Sequence, residues 1–557
     1  MPGGRRNPVD LALRELVAVY RAVGTDRPVS LDEAIHTAGN HTRRTFLGVA
    51  GLAAAGLAAG GCTTSHTAAT LSVPRTTSAG GPRVVVVGAG LAGMTAAYRL
   101  RQAGVNVHVY EARDRVGGRC WSARGFAGGQ VGEHGGEFID TRHVHLRSLA
   151  TELGLTLDDL RSVWEPGSTW LQYVDGEVVN GRQLLSVMQP AIRRLVSFAG
   201  GQGRGIAPGA SRAMRRFDEA TMADWYEQEV GSLDSPAYRL WASGQAGWWG
   251  LDPEGLGAGN LIDFYATEYS GDDERYTVSG GNDQVLSQIA DELGADTVSL
   301  DSPLESVSLT SDGGYDLSSG GTSSTVSADR VVFTLPFTTF REVDLSRSGF
   351  SAARLAQIEQ LGMGTNAKVL LQFDKSFPQE SWSGGMQRAD APAFGTWESG
   401  GTDPGADDFG LLTIFSGGRV GTGYTAATAH DVASDQVVSD TLAAIDAVAP
   451  GTAASYNGKS WLDLWVQDPW SRGSYAAFLP TQFTTMFGVL GVAEGAAHFA
   501  GEHTSTFSQG YLNGGVESGS RAAAEVLDSL GLPLPVGLAT TFREQARFEP
   551  VYPWASS

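Results

Sequence analysis

The chain has 557 residues, of which 42% are hydrophobic and 18% are charged, and its formal net charge at pH 7 is −21. This composition is typical of a folded globular protein, and the excess of acidic residues argues against nucleic acid as a partner. Two cysteines, Cys62 and Cys120, cannot build a disulfide framework, and no Cys/His cluster has metal-ligand spacing, so no metal site is predicted.

Residues 1–82 are predicted to be an export leader followed by a flexible tether. Arg43 and Arg44 precede an apolar run of about 15 residues, which is too short to span a bilayer. This arrangement resembles a twin-arginine signal at about residues 41–62, so we expect the twin-arginine translocase to export the folded protein. Cys62 follows small residues, as at a bacterial lipoprotein cleavage site. Two locations therefore stay open: extracellular, or lipid-anchored through Cys62 on the outer face of the cytoplasmic membrane.

The segment after the leader has the pattern of a βαβ unit. Residues 84–87 are four valines, which predict a strand buried on both faces. Leu91 to Gln102 is predicted to be a helix, and residues 105–110 form a second strand that ends at Glu111. A glycine-rich turn without a ligand is the alternative, but the complete order of elements favours a nucleotide-binding unit.

The glycines between the first strand and the helix indicate a dinucleotide site. Gly88 permits the tight turn, and Gly90 lets a pyrophosphate approach the helix N-terminus at Leu91 and Ala92. Gly93 allows the helix to pack closely on the strand. A carboxylate about 20 residues further on, as here at the end of the second strand, accepts hydrogen bonds from ribose hydroxyls.

The next residues favour FAD over NAD. Glu111 and Ala112 are followed by two glycines, the second of them Gly118, and by Arg119. The run resembles the Glu-Ala-x-x-Arg-x-Gly-Gly-Arg signature of FAD-dependent amine oxidases and of their superfamily, which includes phytoene desaturases and protoporphyrinogen oxidases. The glycines let a ligand approach the backbone closely, and the guanidinium offers a charge-assisted hydrogen bond. The run therefore suits a second phosphate-binding region.

The resemblance covers about residues 83–530 and implies the fold. We expect an α/β protein, with a doubly wound, Rossmann-like FAD-binding domain assembled from separated segments and an interleaved α+β substrate domain. The expected FAD-binding segments are 83–144, 276–338 and 495–532, the substrate segments are 145–275 and 339–494, and a tail occupies 533–557.

Further elements are predicted between the motifs. Residues 145–272 are expected to be helical and carry six tryptophans, most of them in the core: Trp164, Trp170, Trp225, Trp241, Trp248 and Trp249. Strands are predicted at Thr297–Leu300, Pro303–Leu309, Asp329–Thr334, Ala367–Phe373 and Leu411–Phe415, and helices after Gly280 and at Arg521–Leu527.

The resemblance also assigns cofactor contacts along the chain. They are Gly135, Gly136, Glu137 and Phe138 beside the flavin, Leu304 near the adenine, Glu502 at the ribityl or pyrophosphate end, and Tyr511, Leu512, Asn513, Gly514 and Gly515 at the flavin carbonyls. Noncovalent FAD is implied, because Ser474 stands where mitochondrial monoamine oxidases carry the cysteine that bonds the flavin.

Three catalytic residues are implied by the same resemblance. Lys368 matches the lysine that holds a water against flavin N5 and aids reoxidation by O2; the alternative is a strand-edge lysine that points to solvent. Tyr475 and Tyr511 match two aromatic residues that flank the substrate nitrogen, and core packing is the alternative for each.

The implied reaction is oxidation of a primary or secondary amine to the imine, with O2 reduced to H2O2. The imine then gives an aldehyde or ketone plus ammonia or an amine. Two catalytic alternatives stay open: an L-amino acid oxidase that forms a 2-oxo acid, ammonia and H2O2, and a dehydrogenase or desaturase that passes electrons to a carrier. A flavoprotein without catalysis is a further alternative.

An amine is preferred over an α-amino acid as substrate because of one position. Amino-acid oxidases of the superfamily often carry Gly-x-Met-Arg beside the flavin, and Phe138 stands at the place of that arginine. If Glu137 faces the cavity, it repels a carboxylate and attracts a distal ammonium such as that of a diamine. Arg142, Arg419 or Arg472 could still supply a carboxylate clamp from elsewhere.

Overall fold

The computed structural model describes residues 81–160, 171–179, 182–202, 209–267, 273–320, 322–374, 385–399 and 409–548. The twin-arginine motif, Cys62, Trp164 and Trp170 lie outside the described residues.

The strands of the described ranges follow one another in this order: β1 (Arg83–Val87), β2 (Asn106–Tyr110), β3 (Ser122–Ala123), β4 (Gly132–Glu133), β5 (Leu157–Asp159), β6 (Leu171–Val174), β7 (Glu177–Val179), β8 (Tyr276–Val278), β9 (Val298–Ser299), β10 (Leu304–Leu309), β11 (Tyr315–Ser319), β12 (Thr322–Ala328), β13 (Arg330–Phe333), β14 (Asp344–Arg347), β15 (Ala367–Phe373), β16 (Met386–Arg388), β17 (Phe394–Ser399), β18 (Gly410–Ser416), β19 (His430–Asp431), β20 (Tyr456–Leu464) and β21 (Ala497–Phe499).

The α-helices of the same ranges are α1 (Leu91–Gln102), α2 (Val144–Glu152), α3 (Arg182–Gly200), α4 (Arg212–Asp218), α5 (Met222–Glu229), α6 (Pro236–Trp249), α7 (Asn260–Tyr265), α8 (Gln284–Leu293), α9 (Phe337–Phe340), α10 (Ala352–Gln360), α11 (Gly418–Gly423), α12 (Asp435–Val448), α13 (Gln482–Met486), α14 (Leu512–Ser529) and α15 (Val536–Gln545). No helix among these is both long and apolar enough to cross a membrane.

A five-stranded parallel sheet in the order β21-β13-β1-β2-β9 forms the centre of the first domain. Its strands come from three separated parts of the chain, which confirms the expected fold class. The valines of β1 explain its central position, because Val84 and Val86 pack with α1, α8 and α14 on one face while Val85 and Val87 pack on the other. The carboxyl end of β1 therefore opens at the N-terminus of α1.

Glycines allow very close contacts around α1. A Cβ atom on Gly93 would lie 1.9 Å from the carbonyl oxygen of Gly88, and one on Gly519 of α14 would lie 2.2 Å from the carbonyl oxygen of Ala92. Helix α14 begins at Leu512, nine residues before the predicted Arg521, because packing on α1 outweighs the low helix propensity of its glycines.

An eight-stranded sheet in the order β19-β20-β15-β18-β17-β16-β6-β7 forms the centre of the second domain. Helix α12 contributes to the apolar core on one face of this sheet. Strand β5, which pairs with β8, and strands β6 and β7 lie in the region predicted to be helical, so that prediction is wrong at all three. Strands β6 and β7 belong to the eight-stranded sheet. They form a hairpin whose turn, Asp175 and Gly176, has φ angles of 56° and 80°, as an Asp-Gly turn of type I′ requires.

The segment predicted as a tail contains helix α15, which packs on α2. The Nε2 atom of His145 lies 2.5 Å from the side-chain oxygen of Gln545. The rings of His145 and Phe542 meet edge-on, with their centroids 5.2 Å apart. Helix α15 therefore covers one side of the first domain.

Candidate active site

A continuous cavity of about 430 Å³ runs from the carboxyl end of the parallel sheet to the eight-stranded sheet. Its walls include most of the residues that the sequence assigned to the site: Gly88, Gly90, Leu91, Ala92, Glu111, Ala112, Gly118, Arg119, Gly135, Gly136, Glu137, Phe138, Leu304, Lys368, Tyr475, Glu502, Tyr511, Leu512 and Gly515.

Three assigned residues, Gly93, Asn513 and Gly514, are not among the residues that line the cavity, and each makes a close contact within the protein. Gly93 permits the close contact with Gly88 described above. The side chain of Asn513 accepts a hydrogen bond from the amide of Leu146 at 2.9 Å, and a Cβ on Gly514 would lie 2.1 Å from the carbonyl oxygen of Ser508.

The glycines at the N-terminus of α1 leave room for a ligand. A Cβ on Gly90 would meet only the carbonyl oxygen of Gly117, at 3.9 Å, and one on Gly118 would meet only the Cα of Gly90, at 3.5 Å. The unpaired amides of the first helical turn favour an anion at this place. The residues present therefore fit the pyrophosphate of FAD.

Glu111 borders the glycine turn. Its carboxylate accepts hydrogen bonds from the amides of Ala89 at 2.6 Å and Arg113 at 2.9 Å. Burial raises the pKa of Glu111, although these two amides and the neighbouring arginines act in the opposite direction. The carboxylate is fixed at the cavity wall, where hydroxyl groups of a ribose could donate to it.

Arg119 and Glu502 form an ion pair across the cavity wall. The guanidinium of Arg119 donates to Glu502 at 3.0 Å and to the carbonyl oxygen of Ser474 at 2.6 Å. Glu502 also accepts from the amides of Ala476 at 3.2 Å and Gly510 at 2.9 Å. The pair thus joins the first cofactor motif to the segments that carry both candidate tyrosines.

Lys368 is buried on the central strand β15, with a side chain 6% exposed. Its ammonium donates to the carbonyl oxygens of Glu133 at 3.0 Å and Gly135 at 2.8 Å, and to the carboxylate of Glu137 at 3.0 Å. The alternative of a solvent-facing, strand-edge lysine is therefore wrong.

Glu137 is held from the opposite side. Its second carboxylate oxygen accepts from the indole nitrogen of Trp397 at 3.0 Å and from the hydroxyl of Ser399 at 2.7 Å. Glu137 lines the cavity, but its carboxylate is paired with Lys368, so the expected attraction of a distal substrate ammonium stays a prediction.

The two candidate tyrosines meet near Trp248. The hydroxyl of Tyr475 donates to the carbonyl oxygen of Trp248 at 2.6 Å, and its ring lies against Gly510, the residue before Tyr511. The ring centroid of Tyr511 is 4.9 Å from His143 and 6.4 Å from Trp248. Burial raises the pKa of Tyr475, so its phenol stays neutral.

Several aromatic residues of the cavity were not identified as site residues from the sequence. Trp225 and Trp241 lie in the core as expected, but Trp248 and Trp249, in the last turn of α6, line the cavity. Other aromatic members of this wall include Phe264, Trp397, Phe415 and Trp465. The Trp-Trp-Gly run that ends α6 was the available signal.

Arg142 is the member of the three candidate arginines that lines the cavity. It is 3% exposed, its Nε atom lies 3.4 Å from Asp140, and its guanidinium carbon lies 5.8 Å from the ring centroid of Tyr511. Arg419 and Arg472 pair with acidic residues at more exposed places. The guanidinium of Arg142 therefore lies beside Tyr511, one of the two candidate tyrosines.

One row of residues paired across neighbouring strands of the eight-stranded sheet, here called the register row, contributes polar side chains to the site. Residues directly opposite each other on neighbouring strands point to the same face of a sheet. The row includes His430, Asp463, Lys368, Phe415, Gly395 and Gln387, and it continues to Gln172 and Val179.

A chain of buried acids and histidines continues from this row. The carboxylate of Asp463 lies 3.0 Å from the ring of His134 and 2.7 Å from the ring of His430. The other ring nitrogen of His430 lies 2.9 Å from Asp468. Asp468 in turn accepts two hydrogen bonds from Arg113, both of 2.7 Å. We call these five residues the His–Asp chain. Despite such residues, the described ranges contain no group of three or more His, Cys, Asp or Glu that could hold a metal ion.

Two residues of the His–Asp chain, His430 and Asp468, have pKa values shifted in opposite directions. Burial lowers the pKa of His430, but hydrogen bonds and charges of Asp463 and Asp468 outweigh it and leave that pKa above its ordinary value. Burial raises the pKa of Asp468, but bonds from His430 and Arg113 outweigh it and leave that pKa far below its ordinary range. These contacts therefore favour the charged form of His430 and the carboxylate form of Asp468.

Comparisons with known proteins agree with this geometry. Residues 91–527 match the family described as flavin containing amine oxidoreductase. The chain is 26% identical over 485 residues to flavin-containing amine oxidase B of Sus scrofa, which covers 80% of this chain and 86% of that protein. It is 26% identical over 490 residues to L-amino-acid oxidase of Mus musculus, and this match covers 81% of this chain and 71% of that protein. Cyclohexylamine oxidase from Brevibacterium oxydans IH-35A has a similar structure, with a TM-score of 0.69 and 25% identity over 81% of this chain and 100% of that chain.

Proposed function

Because the chain belongs to the family of flavin-containing amine oxidoreductases, we propose that it is an oxidase that converts a primary or secondary amine to the imine and reduces O2 to H2O2. Water then splits the imine into an aldehyde or ketone and ammonia or an amine. The observation that carries the proposal is the meeting of Lys368, Tyr475 and Tyr511 at one cavity that also includes the glycine turn of the FAD site.

Bound FAD supplies the electron acceptor for the C–H bond next to the nitrogen. The residues of the chain then have to bind the amine, orient it and exclude water. Tyr475 is neutral and its hydroxyl donates a hydrogen bond to the backbone carbonyl oxygen of Trp248, so it acts through its ring rather than as a base. Together with Tyr511 it forms an aromatic wall that can align an uncharged amine and keep competing nucleophiles away.

Lys368 serves the oxygen half of the reaction in this proposal. Its ammonium is a fixed, buried positive charge at the cavity wall. Such a charge stabilises the negative charge that develops on oxygen as electrons reach it.

FAD is proposed to bind without a covalent bond to the protein. The side chain of Ser474 lines the cavity and donates to Asn366 at 2.6 Å, and it offers no thiol. Cys120 is the free cysteine of the described residues, and burial raises the pKa of its thiol well above the ordinary value, which disfavours the reactive thiolate.

Oxidation of L-amino acids is the second candidate function, and Arg142 is the observation that favours it. A buried guanidinium beside Tyr511 could pair with the carboxylate of an α-amino acid. Against it, Asp140 lies 3.4 Å from Arg142 and offsets its charge. Phe138 also stands where the resemblance would require the clamp, so an amine remains our first choice.

A peroxide assay with paired amines and amino acids tests the proposal. We expect an aryl-alkyl amine or diamine to exceed its matching α-amino acid in kcat/KM by at least about tenfold, the equivalent of one charge-assisted contact. A preference for L-amino acids would establish the second candidate. Substrate-dependent reduction of a dye without peroxide would contradict the oxidase assignment.

We also propose export through the twin-arginine pathway, supported by Arg43 and Arg44 before the apolar run. The mature protein is then extracellular or anchored through a lipid on Cys62. Export of a folded protein suits an enzyme that acquires FAD in the cytoplasm.

A further inference from the structure

Lys368 makes three short contacts that account for all three protons of its ammonium. Two acceptors are backbone carbonyl oxygens, and the third, the carboxylate of Glu137, is the one that brings a negative charge. Both side chains of the pair are 6% exposed. A buried ammonium needs a counter-charge to remain protonated, since burial alone favours the neutral amine.

The surrounding strands fix the direction of Glu137. Trp397 and Ser399 of β17 donate to one carboxylate oxygen, while Lys368 takes the other. The hydroxyl of Ser399 also lies 2.6 Å from that of Thr413 on β18. The carboxylate is therefore held between the sheet and the lysine.

Other ionisable groups near the pair are engaged elsewhere. The carboxyl of Glu133 is bonded to Ser122 and to the amide of Asn282, and burial raises its pKa to about 8, so it is largely uncharged at neutral pH. Asp463, opposite Lys368 on β20, is bonded to the two histidines of the His–Asp chain. Glu137 is thus the acid in direct contact with the ammonium.

We propose that Glu137 is a positioning residue that keeps Lys368 protonated and directed at the flavin-facing wall, and that it thereby sets the rate at which reduced flavin reacts with O2. This inference rests on the proposed oxidase function. The flavin contact assigned to Glu137 from the sequence does not use its carboxylate. In this proposal that carboxylate acts through Lys368 rather than on the substrate.

The decisive experiment measures reoxidation alone. Holoenzyme is reduced photochemically without amine and mixed with O2 in a stopped-flow instrument between about pH 6 and pH 9. Because no amine is needed, a failure of the amine assignment leaves this measurement intact. The variants are Glu137→Gln, which keeps the shape of the side chain, Lys368→Met, and Glu133→Gln, which removes the buried carboxyl whose pKa of about 8 falls inside this pH range, so that its ionisation is distinguished from that of Lys368.

The Glu137→Gln variant should lose at least about tenfold in reoxidation rate as the pH rises across this range, because its ammonium loses its proton without the counter-charge. Wild type and Glu133→Gln should change much less, and Lys368→Met should be slow at every pH. A Glu137→Gln profile parallel to wild type, or the same loss in Glu133→Gln, would overturn the proposal.

Thermal unfolding of the full chain as purified supplies an independent measurement. Lys368→Met leaves a buried carboxylate without its partner, so adding Glu137→Gln should raise Tm by about 2 °C or more over the single variant. A double variant whose Tm loss is the sum of the two single losses would contradict the pairing, even if the variants bind flavin poorly.

Discussion

Replacing His430 with Gln should flatten the dependence of stability on pH between about pH 6.5 and pH 9. The pKa of His430 in the folded protein lies above its ordinary value of 6.5. A histidine with a raised folded pKa contributes stability that is fully present below the unfolded pKa and is lost as the pH rises through the folded pKa. The wild-type protein should therefore lose stability on the alkaline side.

The expected size follows from two contacts of His430. Its ring nitrogens lie 2.7 Å from Asp463 and 2.9 Å from Asp468, whose side chains are 0% and 2% exposed. A neutral imidazole has a single N–H, so deprotonation of His430 removes one of its two hydrogen bonds to a carboxylate and should cost about 2 kcal/mol. For 557 residues, this corresponds to a Tm difference of about 2 °C.

The assay is calorimetric unfolding at a series of pH values. Wild type should lose about 2 °C more than His430→Gln between pH 6.5 and pH 9. His108→Gln is a matched control, because burial lowers the pKa of His108 and its ring is bonded to Ser299 rather than to an acid. Parallel curves for wild type and His430→Gln above pH 6.5 would refute the reasoning.

Four further outcomes are expected. Acid precipitation should release intact FAD from the protein, and flavin that stays with the polypeptide would contradict noncovalent binding. Lys368→Met should slow reoxidation by O2 far more than reduction by substrate in stopped-flow measurements, whereas equal effects would count against its role. Arg142→Gln should raise KM for L-amino acids at least about tenfold but change KM for the matching amines little, if it binds carboxylates; equal effects on both would exclude that contact. Changing Arg43 and Arg44 to Lys should retain the precursor in the cytoplasm, as seen by fractionation, and unchanged export would remove the twin-arginine interpretation.

The cofactor half of the site was predictable because its signals are local. The predicted helix Leu91–Gln102 and strand Ala367–Phe373 have the bounds that the structure shows. Their patterns, a glycine turn before a helix and an apolar strand, depend on residues close together in the chain. The Asp-Gly turn at residues 175–176 was an equally local signal that was not used.

The partners of Lys368 could not be read from the sequence. Glu137 lies 231 positions before it, and only the packing of the first domain's segments against the second domain's sheet brings the two together. The same holds for the His–Asp chain, whose arginine and distal aspartate are 355 positions apart. Patterns along a chain identify elements, but a site formed between distant elements depends on tertiary packing.

The register row has a consequence for redesign of the enzyme. Gly395 shares the face of Lys368 and Phe415, lines the cavity, and has no atom within 4 Å of the place where a Cβ would be. Its φ is outside the left-handed region, so larger residues are compatible with the strand. An alanine at position 395 would thus add volume to the cavity wall on the face of Lys368 without a close contact at its Cβ atom.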